Sequence, residues 1–371
     1  MERIKEESVS QVLKLLNVIG YSLTLQKKIV RGIEVEVPAI RIYVSQKIRP
    51  LEALAVEHRI PESIEGIKTD VIEVGEVVAL AQRLEIPFFG VPPEKRTQIW
   101  RPAPPGVSIG HYQISAGTFG CLMADAVSGD PLIISNNHVL ANADMREEHH
   151  CVKGDMILQP GPYDIKTGIN PKIHKIGELD RWVPIKSDPA AAETVDCAAA
   201  TPYGPNVLSQ ILDIGDLDDI GRAGSGNSNL YGDFKKDLPL CKSGRTTGYN
   251  ESKIGEPAAF IKVSGYHGKT CAFRDVFFTT QCAAGGDSGS AFVWKSPERG
   301  NVFMGLLFAG SSSITVACKS YHVVGRLNLK LLKELPPAPP PPPEERLIEF
   351  STDEGQTWEQ AKTLRVRPRE D

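Results

Sequence analysis

Apolar residues in the first stretch of the chain fall at helical spacing, with Val9, Val12, Leu13, Leu16 and Val18 on one stripe and Glu and Lys opposite. The pattern predicts an opening helix. After Gly20 it changes to the two-residue alternation of strands, clearest at Ile40, Ile42 and Val44, interrupted by Gly32 and bounded by Pro38 and Pro50. A short helix over about Leu51 to His58 and a strand over Val71 to Val78 are predicted next. Residues 1–90 therefore read as a small α+β unit, helices packed on a short sheet, without a catalytic motif and suited to interaction or regulation. Residues 91–105, rich in proline and charge, read as an extended linker. Residues 106–334 are short β-rich runs divided by Gly, Pro, Asn and Asp, which predicts a mainly β barrel or sandwich. Residues 335–343 are nearly all proline and read as a polyproline spacer.

Residues 344–371 contain Ser351-Thr352-Asp353-Glu354-Gly355-Gln356-Thr357-Trp358, similar to the Asp-box turns of sialidase-type propellers. There the carboxylate and hydroxyls cap the turn, Gly supplies its backbone and Trp covers it. One copy cannot build a propeller, so a single β-hairpin is expected.

Composition narrows the choice of function. Among 371 residues, 42 Lys and Arg face 46 Asp and Glu, a net charge of -4, which gives no basic field for nucleic acid or an anionic membrane. The longest apolar run, Val302 to Gly310, is far short of the roughly 18–20 residues of a membrane span. The charged start, Met1-Glu2-Arg3-Ile4-Lys5-Glu6-Glu7, lacks the apolar core of a secretory signal. Seven scattered cysteines without a Cys-x-x-Cys pair suit free thiols in a reducing, cytoplasmic setting.

The most specific chemistry lies in Cys282-Ala283-Ala284-Gly285-Gly286-Asp287-Ser288-Gly289-Ser290. A serine hydroxyl attacks carbonyls only when a base takes its proton and backbone N–H groups receive the oxyanion. Gly286 permits a turn that aims its own amide and that of Ser288 into one hole, while Gly289 leaves room above the nucleophile. Upstream, the apolar run Pro131-Leu132-Ile133-Ile134 leads into Ser135-Asn136-Asn137-His138 and presents one imidazole, the candidate base. The carboxylate to orient it is best sought at Asp196, followed by Cys197-Ala198-Ala199-Ala200 as at a packed strand end. Asp180 and Asp188 are fallbacks, and Asp213, Asp216, Asp218 and Asp219 sit in a charged loop. Glu147-Glu148-His149-His150-Cys151 holds metal-ligand types but reads as a solvated loop. No phosphate-cradling loop occurs, and no cofactor or metal is expected.

The order His138, Asp196, Ser288 resembles the chymotrypsin-like serine proteases, a likeness that runs from Gly106 to about Leu332. It implies two six-stranded β-barrels with the triad between them. Ser135-Asn136-Asn137-His138-Val139 is similar to the histidine segment of HtrA-type members, and Cys241-Lys242-Ser243-Gly244-Arg245-Thr246-Thr247-Gly248-Tyr249 to a hairpin of α-lytic protease and streptogrisins. The layout, with Gly117-Thr118-Phe119-Gly120 and Asp70-Val71-Ile72-Glu73-Val74-Gly75, most resembles the bacterial and plant group that includes the rice NARROW LEAF protease. Val139 and Asn250 stand where secreted members carry cysteines. An Ile-Val-Gly-Gly activation sequence is missing, so Asp287 is not expected to await a new N-terminus. The family pattern puts Cys282 at the base of the substrate pocket and Phe308, Ala309 and Gly310 along its wall, implying a small or apolar residue before the scissile bond, with Asp275 a candidate pocket acid.

The resulting expectation is a cofactor-free serine endopeptidase acting on protein or peptide substrates, with the N-terminal unit as the place where a regulatory partner or second copy docks. The alternatives are a catalytically latent protease-fold scaffold controlled by a partner, and an esterase using the same residues.

Overall fold

The computed structural model describes residues 6–49, 54–79, 93–188, 191–225, 231–333, 349–351 and 358–360. The opening stripe yields only a helix over Glu6–Ser10 and a 3₁₀ turn over Gln11–Lys14, which bury Val9 and Val12. The helical run is shorter than predicted: Leu15 is already extended, and Asn17 in the left-handed conformation then redirects the chain, so that Val18 begins strand β1 (Val18–Ser22). Two hairpins follow, β2 (Gln26–Val30) with β3 (Ile33–Val44) and β4 (Ser63–Ile64) with β5 (Ile67–Glu73). Each turns on two residues of positive φ, Arg31-Gly32 and Glu65-Gly66, as a two-residue loop requires. β3 and β5 are parallel neighbours.

Two predictions in this region are corrected. Between Leu51 and His58 the described part holds only a 3₁₀ turn at Val56–His58. The strand expected over Val71 to Val78 is broken at Gly75, whose φ is +77°, into β5 and a two-residue β6 (Val78–Ala79).

The first barrel comprises β7 (Ser108–His111), β8 (Gly117–Thr118), β9 (Cys121–Asp125), β10 (Pro131–Ser135), β11 (Met156–Leu158), β12 (Lys175–Trp182) and β13 (Ala198–Pro202). Pairing runs β9–β10–β13–β12–β11–β7–β8. Because β8 and β9 are successive stretches of one run, the sheet closes on itself. After β14 (Asp219–Ile220), the second barrel comprises β15 (Pro239–Gly244), β16 (Gly248–Tyr266), β17 (Lys269–Thr280), β18 (Ala291–Ser296), β19 (Gly300–Gly310) and β20 (Ile314–Lys319). Its order, β15–β18–β19–β20–β17–β16, closes through β15–β16 pairing. The helix Ser320–Leu327 and β21 (Leu329–Lys330) return the chain to β9. The fold is mainly β, two closed barrels in succession.

Period-two alternation sorts the side chains. Leu122 and Ile133 point into the first barrel with Phe119, Ile157 and Leu179. Their neighbours Cys121, Met123, Leu132 and Ile134 point outward against Phe303, Phe308, Val316 and Cys318 of the second barrel. Strands buried on both faces explain the unbroken apolar runs in the sequence. The second barrel is filled by Phe234, Phe277, Phe292, Met304 and Leu307.

The N-terminal strands do not stand apart. β1 pairs with the far half of β16, Gly20 opposite Ile261, and Tyr21 stacks on Phe260 with ring centroids 5.2 Å apart. The stretch read as an extended linker contains a helical turn at Pro93–Arg96, and Arg96 is fully buried. Its guanidinium donates to Gly106 O and Ser243 Oγ and pairs with Asp213, contacts that no local pattern reveals.

Strands β22 (Glu349–Ser351) and β23 (Trp358–Gln360) pair antiparallel, with Ser351 opposite Trp358. The rest of the Asp-box and the polyproline run lie outside the described residues. All seven cysteines are free and buried. Among the described residues no helix is long and apolar enough to cross a membrane.

Candidate active site

β10 ends at Ser135 and the chain makes one helical turn, Asn137–Leu140, that carries His138. Two buried asparagines fix this turn. Asn136 donates to Asp196 O at 2.7 Å, and Asn137 to Val183 O at 2.7 Å. His138 Nδ1 lies 2.6 Å from Asp196 Oδ2, and the His138 amide donates to Oδ1 at 3.3 Å. With Nδ1–H given to the carboxylate, a neutral ring offers its lone pair at Nε2, which is buried and without a partner.

Asp196 precedes β13 and is fully buried, a cost offset only by donors. A donor that the sequence did not disclose is Tyr266, at the end of β16, whose hydroxyl gives a 2.7 Å bond to Oδ2. Burial, then the neighbouring Asp196 charge, pushes the Tyr266 phenol well above its ordinary pKa, so it stays a donor. Its ring stands edge-on to that of His138, centroids 6.0 Å apart. The backbone amide of Asp196 donates to Cys318 Sγ at 3.1 Å.

Ser288 comes from the loop between β17 and β18. Gly286 and Gly289 take φ of +93° and +92°, which only glycine adopts at low cost. A Cβ on Gly289 would lie 2.0 Å from Ser135 Oγ, so the loop and the end of β10 are in close contact. Gly117 mediates a second approach: a Cβ there would lie 2.4 Å from the Val139 side chain and 3.1 Å from Ser288 O. The serine loop thus packs on the His138 turn. The Ser288 hydroxyl, however, is turned toward Phe308 O at 3.5 Å, and among the described residues no hydrogen bond joins it to His138.

The loop is held from below by an ion pair. Lys242 and Asp287, both fully buried, meet at 3.2 Å. Asp287 also accepts from Ala284 N, Thr246 N, Thr247 N and Thr247 Oγ1 at 2.6–3.1 Å. Burial alone would raise this carboxyl, but Lys242 and the donors outweigh it and the net shift is down. Thr118 Oγ1 donates to Gly286 O and Thr246 Oγ1 to Gly285 O. These two bonds fix the peptide groups of Gly285 and Gly286 just ahead of Ser288. Lys242 stood in the quoted hairpin motif, yet the motif did not say what it pairs with.

Of the remaining candidates, Cys282 packs with Phe277 and Leu307 inside the second barrel, its amide donating to Thr315 Oγ1. Phe308 lies against Phe273, centroids 4.7 Å apart, and Ala309 and Gly310 continue β19. None of these carries a charge. Asp275 is bound by Lys319, Tyr321 and His322 at 2.6–2.8 Å and lines a separate cavity of about 340 Å³. Asp180 pairs with Lys153 and Arg181. In the loop expected to be solvated, His149 contacts Asp144, and His150 lies against His267 with the rings tilted by 36°. Among the described residues no group of three or more His, Cys, Asp or Glu side chains is arranged to hold a metal ion.

No family model and no curated protein matches the chain. Among solved structures, Thermobifida fusca Protease A is similar at 15% identity over 62% of this chain and 99% of its own, with a TM-score of 0.40. The Nocardiopsis protease matches at 17% identity, 62% and 99% coverage and TM-score 0.37. Cellulomonas bogoriensis chymotrypsin matches at 16% identity, 62% and 98% coverage and TM-score 0.38. The double-barrel fold stands on the strand pairings themselves.

Proposed function

We propose that the chain is a serine endopeptidase. The observation that carries this reading is the 2.6 Å contact of His138 Nδ1 with the buried Asp196 carboxylate, which leaves the buried Nε2 without a partner on a turn that the Gly289–Ser135 and Gly117 approaches bring close to the Ser288 loop. The reaction requires Ser288 Oγ to leave Phe308 O and engage that nitrogen. In the reaction Oγ attacks the peptide carbonyl carbon as its proton passes to His138 Nε2, and the oxyanion is received by the Gly286 and Ser288 amides. Collapse of the tetrahedral species breaks the C–N bond, with the His138 proton leaving on the amine. Water, deprotonated by His138, then releases the acid and restores the serine. Asp196 keeps Nδ1–H in place and balances the imidazolium.

The absence of charge on Cys282, Phe308, Ala309 and Gly310 themselves supports preference for a small or apolar residue before the scissile bond. Assignment to the bacterial and plant group that includes the rice NARROW LEAF protease rests on the sequence segments quoted above, as does an intracellular setting on the free thiols.

Intact-mass labelling of the purified protein with a fluorophosphonate tests the reading without a known substrate. One adduct is expected on the wild type and none on Ser288→Ala, whose peptide turnover should fall by about 10⁶-fold. Asp196→Ala should lose orders of magnitude and Asp180→Ala should not; the reverse result would reassign the acid. A well-folded wild type that takes no adduct would turn the reading toward a latent scaffold.

A further inference from the structure

The edge of β19 nearest the nucleophile is already taken by the chain itself. β18 accompanies β19 from Gly300 to Leu306 and then leaves it, and Leu307 is held by Gly289 and Ser290 backbone bonds. Past that point one side of β19 stays with β20, Ala309 opposite Val316 and Gly310 opposite Thr315. The other side, starting at Phe308, whose carbonyl faces Ser288 Oγ at 3.5 Å, would be an open edge. There β6 lies antiparallel, Ala79 opposite Ala309 and Val78 opposite Gly310.

An extended peptide that presents its carbonyl to Ser288 gains most by adding a strand to the adjacent backbone edge, and that edge is Ala309–Gly310. β6 therefore stands where such a peptide would lie. The segment is well anchored. Val74 O accepts from both Ser311 Oγ and Ser313 Oγ, Val77 O accepts from Ser264 N at 3.0 Å, and Val78 also pairs with Ser264 of β16. Val74, Val77 and Ala79 are buried in the core between the barrels. The break at Gly75 separates this segment from β5 and brings it under Ser311.

We infer that residues 74–79 hold the protein in a self-blocked resting state, with Val78–Ala79 in the place of a substrate strand; this rests on the peptidase reading above. A tethered strand competes at a high effective concentration, so peptides enter only in the fraction of molecules whose β6 has lifted. Among the described residues the β6 ladder pairs only two residues with β19, far fewer than the strand pairings that close either barrel, so it can open locally. The ligand class is an extended peptide with small aliphatic side chains at the two positions that Val78 and Ala79 fill.

The test compares two rates on the full chain: labelling by a fluorophosphonate, which is too small to need the β19 edge, and cleavage of a fluorogenic library of extended peptides. Val78→Pro removes an N–H from a strand paired on both sides. Ser311→Ala/Ser313→Ala unties Val74 O while leaving β6 and β19 intact, and serves if the proline variant misfolds by near-UV circular dichroism. The expected result is unchanged labelling with peptide kcat/KM raised about tenfold or more, a gain matching an open fraction of about one tenth at rest. Added Val-Gly-Glu-Val-Val-Ala peptide should then inhibit the variant competitively. Folded variants that label normally but cleave peptides no faster than wild type overturn the self-block and leave the peptidase reading standing. Absence of labelling in wild type and variants overturns the peptidase reading, and the self-block with it.

Discussion

Replacing Lys242 with methionine isolates what the buried ion pair does for the serine loop. Methionine keeps an unbranched stem in the same packing and deletes the ammonium that faces Asp287 at 3.2 Å. The carboxylate then sits fully buried with four hydrogen-bond donors but no counter-charge, and breaking a buried pair from one side costs about 3–5 kcal/mol. For a compact unit that runs from Met1 to Leu335 each kcal/mol is worth roughly 1–2 °C, so Tm should fall by about 3–10 °C. The direction with pH follows from the carboxyl's lowered pKa. In the wild type Asp287 contributes stability above the unfolded-state pKa and loses it as pH falls through the folded one. Without Lys242 the folded pKa rises, so the deficit is largest at neutral pH and narrows on acidification. A protonated Asp287 also loosens the Thr246, Thr247 and Ala284 amides that shape the loop. Misplacing the Gly286 and Ser288 donors should slow fluorophosphonate labelling by about 10²–10³-fold. Lys242→Met/Asp287→Asn, with no charge left to bury, should recover much of the stability. Urea titrations from pH 5 to 8 beside the labelling rates provide the assay. A single variant within about 1 kcal/mol of wild type at every pH would refute Lys242 as the counter-charge.

Tyr266→Phe removes one of the two donors on Asp196 Oδ2 and should lower kcat by about 5–30-fold, an effect of roughly 1–2 kcal/mol, with KM unchanged; a change in stability or KM alone would make the tyrosine structural only. Glu256, buried beside Tyr43 and Arg41, has its pKa raised by burial to about 7, against the partial opposition of those two neighbours. The unfolded chain ionises this group near 4.5 and the folded one near 7, so stability falls as pH rises across that window, by roughly 3 kcal/mol in all. Glu256→Gln should match wild type near pH 4.5 and exceed it at pH 8 in thermal melts, and equal stabilities at pH 8 would contradict the assignment.

What the sequence disclosed and what it hid divide along the range of the interactions. His138 at the end of an apolar run, Asp196 ahead of small apolar residues and Ser288 among glycines each leave a local mark, because backbone turns and strand ends have compositional rules. The alternation at Ile40, Ile42 and Val44 likewise announced β3. Tyr266 left no mark: its value lies in a hydroxyl that reaches Asp196, 70 residues away in sequence. Lys242 is an ordinary lysine in a polar hairpin until the fold buries it on Asp287. Arg96, in a stretch rich in proline and charge, read as part of an extended linker because nothing nearby shows that Ser243 and Asp213 will close over it. The strand expected over Val71 to Val78 failed at Gly75, where hydroxyls from Ser311 and Ser313 draw Val74 O away from the sheet. The apolar pattern of residues 74–79 is the same whether those side chains pack on a local sheet or between two barrels.

The pairing of β1 with β16 bears on how the chain is made. Gly20 and Ile261 are about 240 positions apart, which at roughly 5–20 residues per second means tens of seconds of synthesis between them. During that interval β1 has β3 on one side and nothing on the other, a bare row of amides and carbonyls of the kind that templates unwanted strand pairing. Contacts this distant in sequence also slow the search for the native topology. Early closure of the β2–β3 and β4–β5 hairpins can shield part of the exposed sheet, but the β1 edge waits for the second barrel. Nascent chains held at that stage are where a holding chaperone has the most to cover.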